Sequence, residues 1–264
     1  LTVGFTVNRL NRFIHKEMFF PGLVGLLINP FYFARKDLAA QIRDLGRSIT
    51  GKTLDVGCGS KPYQTLCDSS EYVGMELDTA ENRRKKLADC FYDGHRFPFE
   101  ADTFDSAMAS QVLEHVFNPN EFLHEVYRVL KPGSPLLMTV PFTWDEHEQP
   151  ADYARYSSFG LRSLLENNGF DIILQRKTLS DIRIIFQLVN CYFHKAIMTR
   201  NFFFHVLLTL LVVAPCNLFG VILSWMTPRN PDLYLDNVVL AKKRGLNACA
   251  VDESRIPTQV SERH

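Results

Sequence analysis

The sequence predicts an α/β fold built on a doubly wound, mostly parallel sheet of seven strands with helices on both faces. Three observations predict it. Strand-like and helix-like stretches alternate from residue 31 to 179, the first strand runs into a glycine turn at Leu54-Asp55-Val56-Gly57-Cys58-Gly59, and a strand pattern returns at 234–241 after a long apolar stretch.

Over 31–49 the apolar residues Phe31, Leu38, Ile42, Leu45 and Ile49 recur at helical spacing, and Gly51 stops the helix. A strand at 52–56 follows, then a strand at 71–77, a basic helix at 80–87 and a short strand at 89–92. A strand at 104–109 leads into a helix interrupted at Asn118-Pro119 and resumed over 121–130, closed by the turn Lys131-Pro132-Gly133. An apolar strand at 135–140, a helix at 157–167 stopped by Asn168-Gly169 and a strand at 170–179 complete the alternation. These boundaries divide the chain into an N-terminal helical segment (1–50), a core (51–180), an apolar helical insertion (181–229), the final strand of the core (230–244) and a polar tail (245–264) expected to be disordered.

The chain begins on Leu1, so its start reads as truncated, processed or set by an unusual start codon. Arg9, Arg12 and Lys16 before an apolar run at 18–28 mimic a secretory signal peptide. Pro21, Gly22 and Gly25 break that run, and no small-residue cleavage site follows it. The 264 residues include 29 basic and 29 acidic side chains, which removes the footprint of a protein that grips many nucleic-acid phosphates. Six cysteines form no CxxC pair and no zinc-ligand spacing, which fits a reducing cytoplasm and predicts no metal site.

Ligands of open α/β sheets bind beyond the carboxyl ends of the strands, where the strand order reverses. Gly57 and Gly59 let the backbone turn sharply there and approach a ligand closely. The second strand ends on Glu76, about twenty residues on, where a carboxylate accepts hydrogen bonds from both hydroxyls of a ribose. The same pair suits a dinucleotide, but Pro62 occupies the position where the dinucleotide fingerprint needs its third glycine.

With Leu54 to Gly59, Val73-Gly74-Met75-Glu76, Phe97-Pro98-Phe99 before Phe104-Asp105, Val112-Leu113-Glu114-His115-Val116, and Glu125 to Gly133 in this order, the chain resembles the class I methyltransferases that use S-adenosylmethionine. The resemblance covers about residues 53–170 and is of the methyltransferase type 11 kind. It implies a Rossmann-like sheet whose C-terminal strand is antiparallel, with S-adenosyl-L-methionine as cofactor. It further implies that Asp55, Gly57 and Gly59 line the methionine part of the cofactor, that Glu76 binds the ribose, that Asp93 with Gly94 stands near the adenine, and that Ser110 and Gln111 face cofactor and acceptor. Two departures stand out: Lys61 occupies a common third glycine position, and the ribose acid is Glu rather than Asp. Glu114 and His115 read either as packing and capping residues or as sources of a general base.

The loop after the fifth strand, 141–156, is dense in His, acidic and aromatic residues and sits at the edge where such loops carry function. His147 is the candidate base, with Asp152 and Arg155 orienting it or the acceptor. An equal reading makes Asp152 and Arg155 a structural ion pair. The insertion contains no Asp, Glu, Lys or Arg over 202–226. One straight helix there spans a bilayer, yet Pro215 and Asn217 are expected to interrupt it, and flanking strands of one sheet force both ends to the same side. A shallow hairpin at a membrane surface satisfies both conditions, with Lys195 and Arg200 near anionic headgroups and Phe19, Phe20, Leu23, Leu26, Leu27 and Phe31 on the same face. The alternative is packing on the sheet or in a dimer interface. The sequence thus predicts a methyltransferase peripheral on the cytoplasmic face of the membrane, with a small-molecule or lipid-linked amphipathic acceptor and no nucleic-acid partner. Its rival is a catalytically silent, membrane-tethered scaffold of the same fold.

Overall fold

A computed structural model describes residues 13–196 and 202–245. Strands β1 (Thr50–Val56), β2 (Asp68–Leu77), β3 (Cys90–Tyr92), β4 (Ser106–Ser110), β5 (Pro135–Pro141), β6 (Phe170–Lys177) and β7 (Asp236–Lys243) form one sheet in the order β3-β2-β1-β4-β5-β7-β6. The pairs among β1 to β5 are parallel, and β7 runs antiparallel to both neighbours. Strand order reverses between β1 and β4. That is where a doubly wound sheet opens its crevice.

The strands are apolar because helices cover both faces. One core layer joins Leu54, Val56, Phe104, Leu136 and Val239 to α4 (Pro119–Val129) and α5 (Ser158–Asn167) through Phe122, Val126, Leu161 and Leu165. The other sets Met108, Leu137 and Val238 against α2 (Tyr32–Leu45) through Leu38, Ile42 and Leu45. α1 (Leu23–Ile28) precedes α2, and α3 (Ala80–Lys85) joins β2 to β3.

Two of the shared sequence elements prove to be scaffolding. Glu125 and Arg128 pair at 2.6 Å and together hold the Phe97 and Phe99 backbone, Glu125 accepting from Phe97 N–H and Arg128 donating to both carbonyls. Asp105 accepts from Lys131 at 2.6 Å and from the Lys52 amide at 2.8 Å, clamping the amino edge of the sheet, away from the crevice.

The insertion departs from β6 and returns to β7 at one point, since Lys177 is paired with Asn237. Helix α6 (Arg183–Ala196) is followed by α7 (Phe202–Leu208), a π turn (Thr209–Val213) and α8 (Ala214–Ser224). The expected interruption at Pro215 is corrected: the helix is continuous over Val206–Ser224. A proline ring clashes with the carbonyl four residues back, here Leu211, and the wider π turn opens the ladder at that place. Asn217 does not break the helix either. It is fully buried, accepts from Asn190 at 2.9 Å and donates to the Leu26 and Asn29 carbonyls. Of the expected tail over 245–264 all but Gly245 lies outside the described residues, as does Arg200.

Candidate active site

A cavity of about 820 Å³ opens at the carboxyl ends of β1, β2 and β4, lined among others by Gly57, Gly59, Glu76, Tyr92, Gln111 and His115. Gly57 and Gly59 both have positive φ, +68° and +50°. They serve different ends. A Cβ on Gly57 would lie 2.5 Å from a Val112 methyl, so this glycine lets the turn pack on the next segment, whereas a Cβ on Gly59 would meet nothing within 4 Å. Gly59 therefore keeps its space open for a ligand.

Glu76 is held ready: the Gly59 N–H donates to its Oε1 at 2.6 Å and Asn82 Nδ2 to its Oε2 at 3.3 Å. The lysine in place of a third glycine keeps the glycine's conformation, with φ +53° at Lys61, and its ammonium pairs with Asp89 at 2.5 Å. Left-handed backbone costs a non-glycine residue about 1–2 kcal/mol. Gln111 and Glu148, at φ +58° and +51°, carry the same strain beside the cavity.

Not every expected cofactor residue lines this cavity. Asp55 is buried beneath it; burial raises its pKa to about 7, against the Tyr72 hydroxyl that donates to it at 2.7 Å. Asp93 faces solvent and accepts from the His95 and Arg96 amides, and Gly94 beside it is exposed with φ +91°. Ser110 hydrogen-bonds Thr139 at 2.9 Å in the floor between β4 and β5. None of these four is among the residues lining the cavity, whose far end is built instead by Leu77, Thr79, Asn82, Leu87 and Tyr92. Sequence reasoning missed these five; Tyr92 and Leu77 end strands at the correct edge, which was the available signal.

A second cavity of about 250 Å³ adjoins the first and shares Gln111, His115 and Glu148 with it. Its other walls include Phe31, Arg35, Trp144, His147, Lys195 and Asp236. Asp236 opens the antiparallel β7, opposite Pro141, which brings it to the same edge as the ends of β4 and β5. Burial raises its pKa to about 6, against hydrogen bonds from Thr178 at 3.0 Å and Gln111 at 3.3 Å.

The loop after β5 is organised by Asp152, whose side chain is 4% exposed. Arg155 forks onto both of its oxygens at 2.6 and 2.7 Å, the His147 N–H donates to it at 2.8 Å, and His147 Nδ1 lies 3.3 Å away. Arg155 lowers the Asp152 pKa well below the carboxylate range. Arg155 also reaches the Trp144 and Asp145 carbonyls. His147, Asp152 and Arg155 are thus brought together, in an arrangement that pins the loop and orients the imidazole at once.

His115 completes the junction. Its Nδ1 lies 2.6 Å from the Ala151 carbonyl, which makes that nitrogen the donor in the neutral ring and leaves the lone pair on Nε2. Its ring meets His147 edge to face, with centroids 4.7 Å apart. Glu114, fully buried beside it, has no hydrogen-bond partner for either carboxylate oxygen among the described residues, and burial raises its pKa to about 8. Glu114, His115 and His147 each bring one donor atom within 4.8 Å of the others, a set of the kind that holds a divalent cation. The sequence showed no such set because the residues come from two segments.

Residues 54–138 match the family described as a methyltransferase domain. Over 115 residues the chain is 31% identical to the mitochondrial ubiquinone biosynthesis O-methyltransferase of Rattus norvegicus, covering 36% of this chain and 32% of that protein. Over 98 residues it is 37% identical to sterol methyltransferase-like 3 of Botryococcus braunii, covering 31% and 25%. The matched stretch thus spans a third or less of the length of these relatives. Among solved structures, the 4+2 cyclase SpnF shares 20% identity and a TM-score of 0.51 over 80% of this chain and 82% of that one, a likeness of fold alone. With the sheet order, the glycine turn and the acid at the end of β2, residues 54–138 form a methyltransferase domain of the class I, S-adenosylmethionine-dependent kind.

Proposed function

We propose that the chain transfers the methyl group of S-adenosylmethionine to an amphipathic acceptor, small or lipid-linked, at the cytoplasmic face of a membrane. The observation that carries this reading is the pair of adjoining cavities with Gln111, His115 and Glu148 common to both. One cavity has the volume and the ribose carboxylate for the cofactor; the other combines aromatic walls with Arg35, His147 and Asp236. Gly59 leaves the space that a bound nucleoside with its amino-acid tail needs, so the residues present fit the family's cofactor.

When bound, the cofactor supplies an activated methyl group on a sulfonium. The chain's own task is to hold Glu76 toward the ribose, to exclude water between the cavities and to line up the acceptor atom. For a hydroxyl or ammonium acceptor a base is needed as well. The two imidazoles supply it: His147, kept in place by Asp152, faces the acceptor cavity, and His115 stands where the cavities meet. The aromatic wall from Phe31 and Trp144 favours an acceptor with an apolar portion.

Calorimetric titration with S-adenosylmethionine tests the first half, and the intact chain is expected to bind it. Mass spectrometry of lipid and small-molecule extracts from knockout and complemented cells tests the second, with a product heavier by one methyl expected only on complementation. An intact chain that binds no S-adenosylmethionine overturns the reading.

A further inference from the structure

We infer that the apolar face built by α1, α7 and α8 is seated shallowly in the facing leaflet of a lipid bilayer without crossing it, so that the acceptor cavity meets its substrate at the lipid surface. The face is continuous. α1 packs on the π turn and α8, and its exposed Leu23 and Leu27 extend the row of exposed Leu207, Leu211, Leu218 and Ile222, spaced four, seven and four residues apart along the long helix. The most apolar 18-residue window of the helix over Val206–Ser224 has a mean hydropathy of 2.5, yet only 28% of it is buried. Such exposure is far beyond the scattered apolar residues of an ordinary surface.

Lipid rather than a second copy is the occupant that the composition fits. An interface between water-soluble copies keeps a polar rim around an apolar centre. Over 202–226 the chain has no Asp, Glu, Lys or Arg, and the helix ends on Trp225 and Met226, 81% and 76% exposed. Tryptophan at the end of an apolar helix suits the boundary between acyl chains and headgroups.

Crossing is prevented by how the helices are tied down. α6 begins against α2 and the sheet, where Ile184 packs with Tyr32, Phe33, Leu179 and Leu235, and ends at the acceptor loop, where Lys195 pairs with Asp145 at 2.9 Å and donates to the Glu146 carbonyl. Both ends of α6 therefore touch the catalytic domain. Asn217 then binds α8 to α6 through Asn190 and to α1 through the Leu26 and Asn29 carbonyls. A single helix crossing would need its partner to cross too, because Lys177 and Asn237, at the two roots of the insertion, are neighbours in the sheet. Lys195, though exposed, is paired with Asp145 and the Glu146 carbonyl rather than left free for headgroups, so attachment is carried by apolar area and is only weakly sensitive to lipid charge.

The position has a use. The insertion leaves the sheet at its carboxyl edge, the edge that carries both cavities, and Phe31 and Lys195, two walls of the acceptor cavity, lie beside α1 and on α6. Seating the face in lipid brings that cavity to the surface from which an amphiphile's headgroup is reached.

The test is flotation of the purified full chain with phosphatidylcholine vesicles, with and without phosphatidylglycerol, S-adenosylmethionine binding being measured on the same samples. The intact chain is expected to float with both. Leu211→Glu combined with Leu218→Glu is expected to lower the partition coefficient at least about tenfold while leaving cofactor binding unchanged, which keeps this inference separable from the enzymatic one. Depth is read by Leu211→Trp in a chain with Trp144→Phe and Trp225→Phe: bromines placed high on the acyl chains should quench it more than bromines near the chain ends. An intact chain that stays below the vesicles overturns the inference, and so does a lipid-free dimer that dissociates in the double Glu variant, or stronger quenching from the chain ends.

Discussion

Two glycines two residues apart in one turn are needed for different physical reasons, and substitutions separate them. At Gly59 a side chain has room in the protein but only by occupying the cofactor cavity. Gly59→Val is expected to abolish S-adenosylmethionine binding in calorimetry while costing the fold only about 1–2 kcal/mol for the left-handed backbone. At Gly57 the side chain has no room, its Cβ lying 2.5 Å from Val112 Cγ2. Gly57→Ala is therefore expected to be the more destabilising change in a denaturant titration, and adding Val112→Ala should recover part of the loss. Equal destabilisation by the two single variants would count against this division. Lys61 was read in the sequence as a departure from the family pattern, and its φ of +53° shows that the backbone conformation persists although the residue type changed. That persistence was not legible, because a sequence shows which residue is present but not the dihedral angle its neighbours impose.

At the scale of elements, the loop after β5 was legible as a candidate site because its residue types are rare together, and its internal order was not, because the order depends on one buried oxygen pair. Asp152 collects the Arg155 fork, the His147 amide and the His147 ring, while the Tyr153 amide donates to the Glu114 carbonyl at 2.8 Å and ties the loop to the turn after β4. Asp152→Asn leaves the guanidinium with half of a fork and should cost about 2 kcal/mol, as losing a hydrogen bond between charged groups in a part-buried pair does. Arg155→Lys should rescue little, since an ammonium cannot engage both oxygens in one plane. In steady-state assays Asp152→Asn is expected to lower turnover at least about tenfold through a misoriented His147. Cofactor affinity, measured separately, should change less, because Glu76 and Gly59 lie on other elements. A variant with unaltered melting temperature and turnover would contradict the role given to this carboxylate. Glu114 and His115 illustrate the opposite case: their motif was visible, but the burial that strips Glu114 of partners arises from the loop folding over it, a contact 30 or more residues distant in sequence. Pro215 was legible as an irregularity and misread as a break, since the π turn that absorbs it has no sequence signature of its own.

Across the whole molecule, the acid-base groups divide into two sets with opposite effects on stability, and their balance predicts where the free protein is most stable. Asp55, Asp236 and Glu114 are buried at the carboxyl edge, and burial raises their pKa values to about 7, 6 and 8. Each binds a proton more tightly in the folded chain than in the unfolded one, so stability is greatest while they remain protonated and falls as pH rises from about 4 through those values. Asp152 and Glu125 stand in the other set. Hydrogen bonds from Arg155 and Arg128 lower their pKa values, so the stability they supply is present above the ordinary carboxylate range and disappears as pH falls through their folded values. The two slopes meet, and the ligand-free chain is expected to be most stable near about pH 5 rather than at neutrality. A melting-temperature profile measured from acid to mildly alkaline buffer checks this. Asp55→Asn tests its cause: Asn can still accept from the Tyr72 hydroxyl but cannot ionise, so the decline toward alkaline pH should flatten and the variant should exceed the parent in stability by a few kcal/mol at pH 8, on the order of 3. A parent profile that rises steadily from pH 5 to pH 8, or an Asp55→Asn profile parallel to it, would show that these carboxyls ionise in the folded state with less opposition from burial than their surroundings imply.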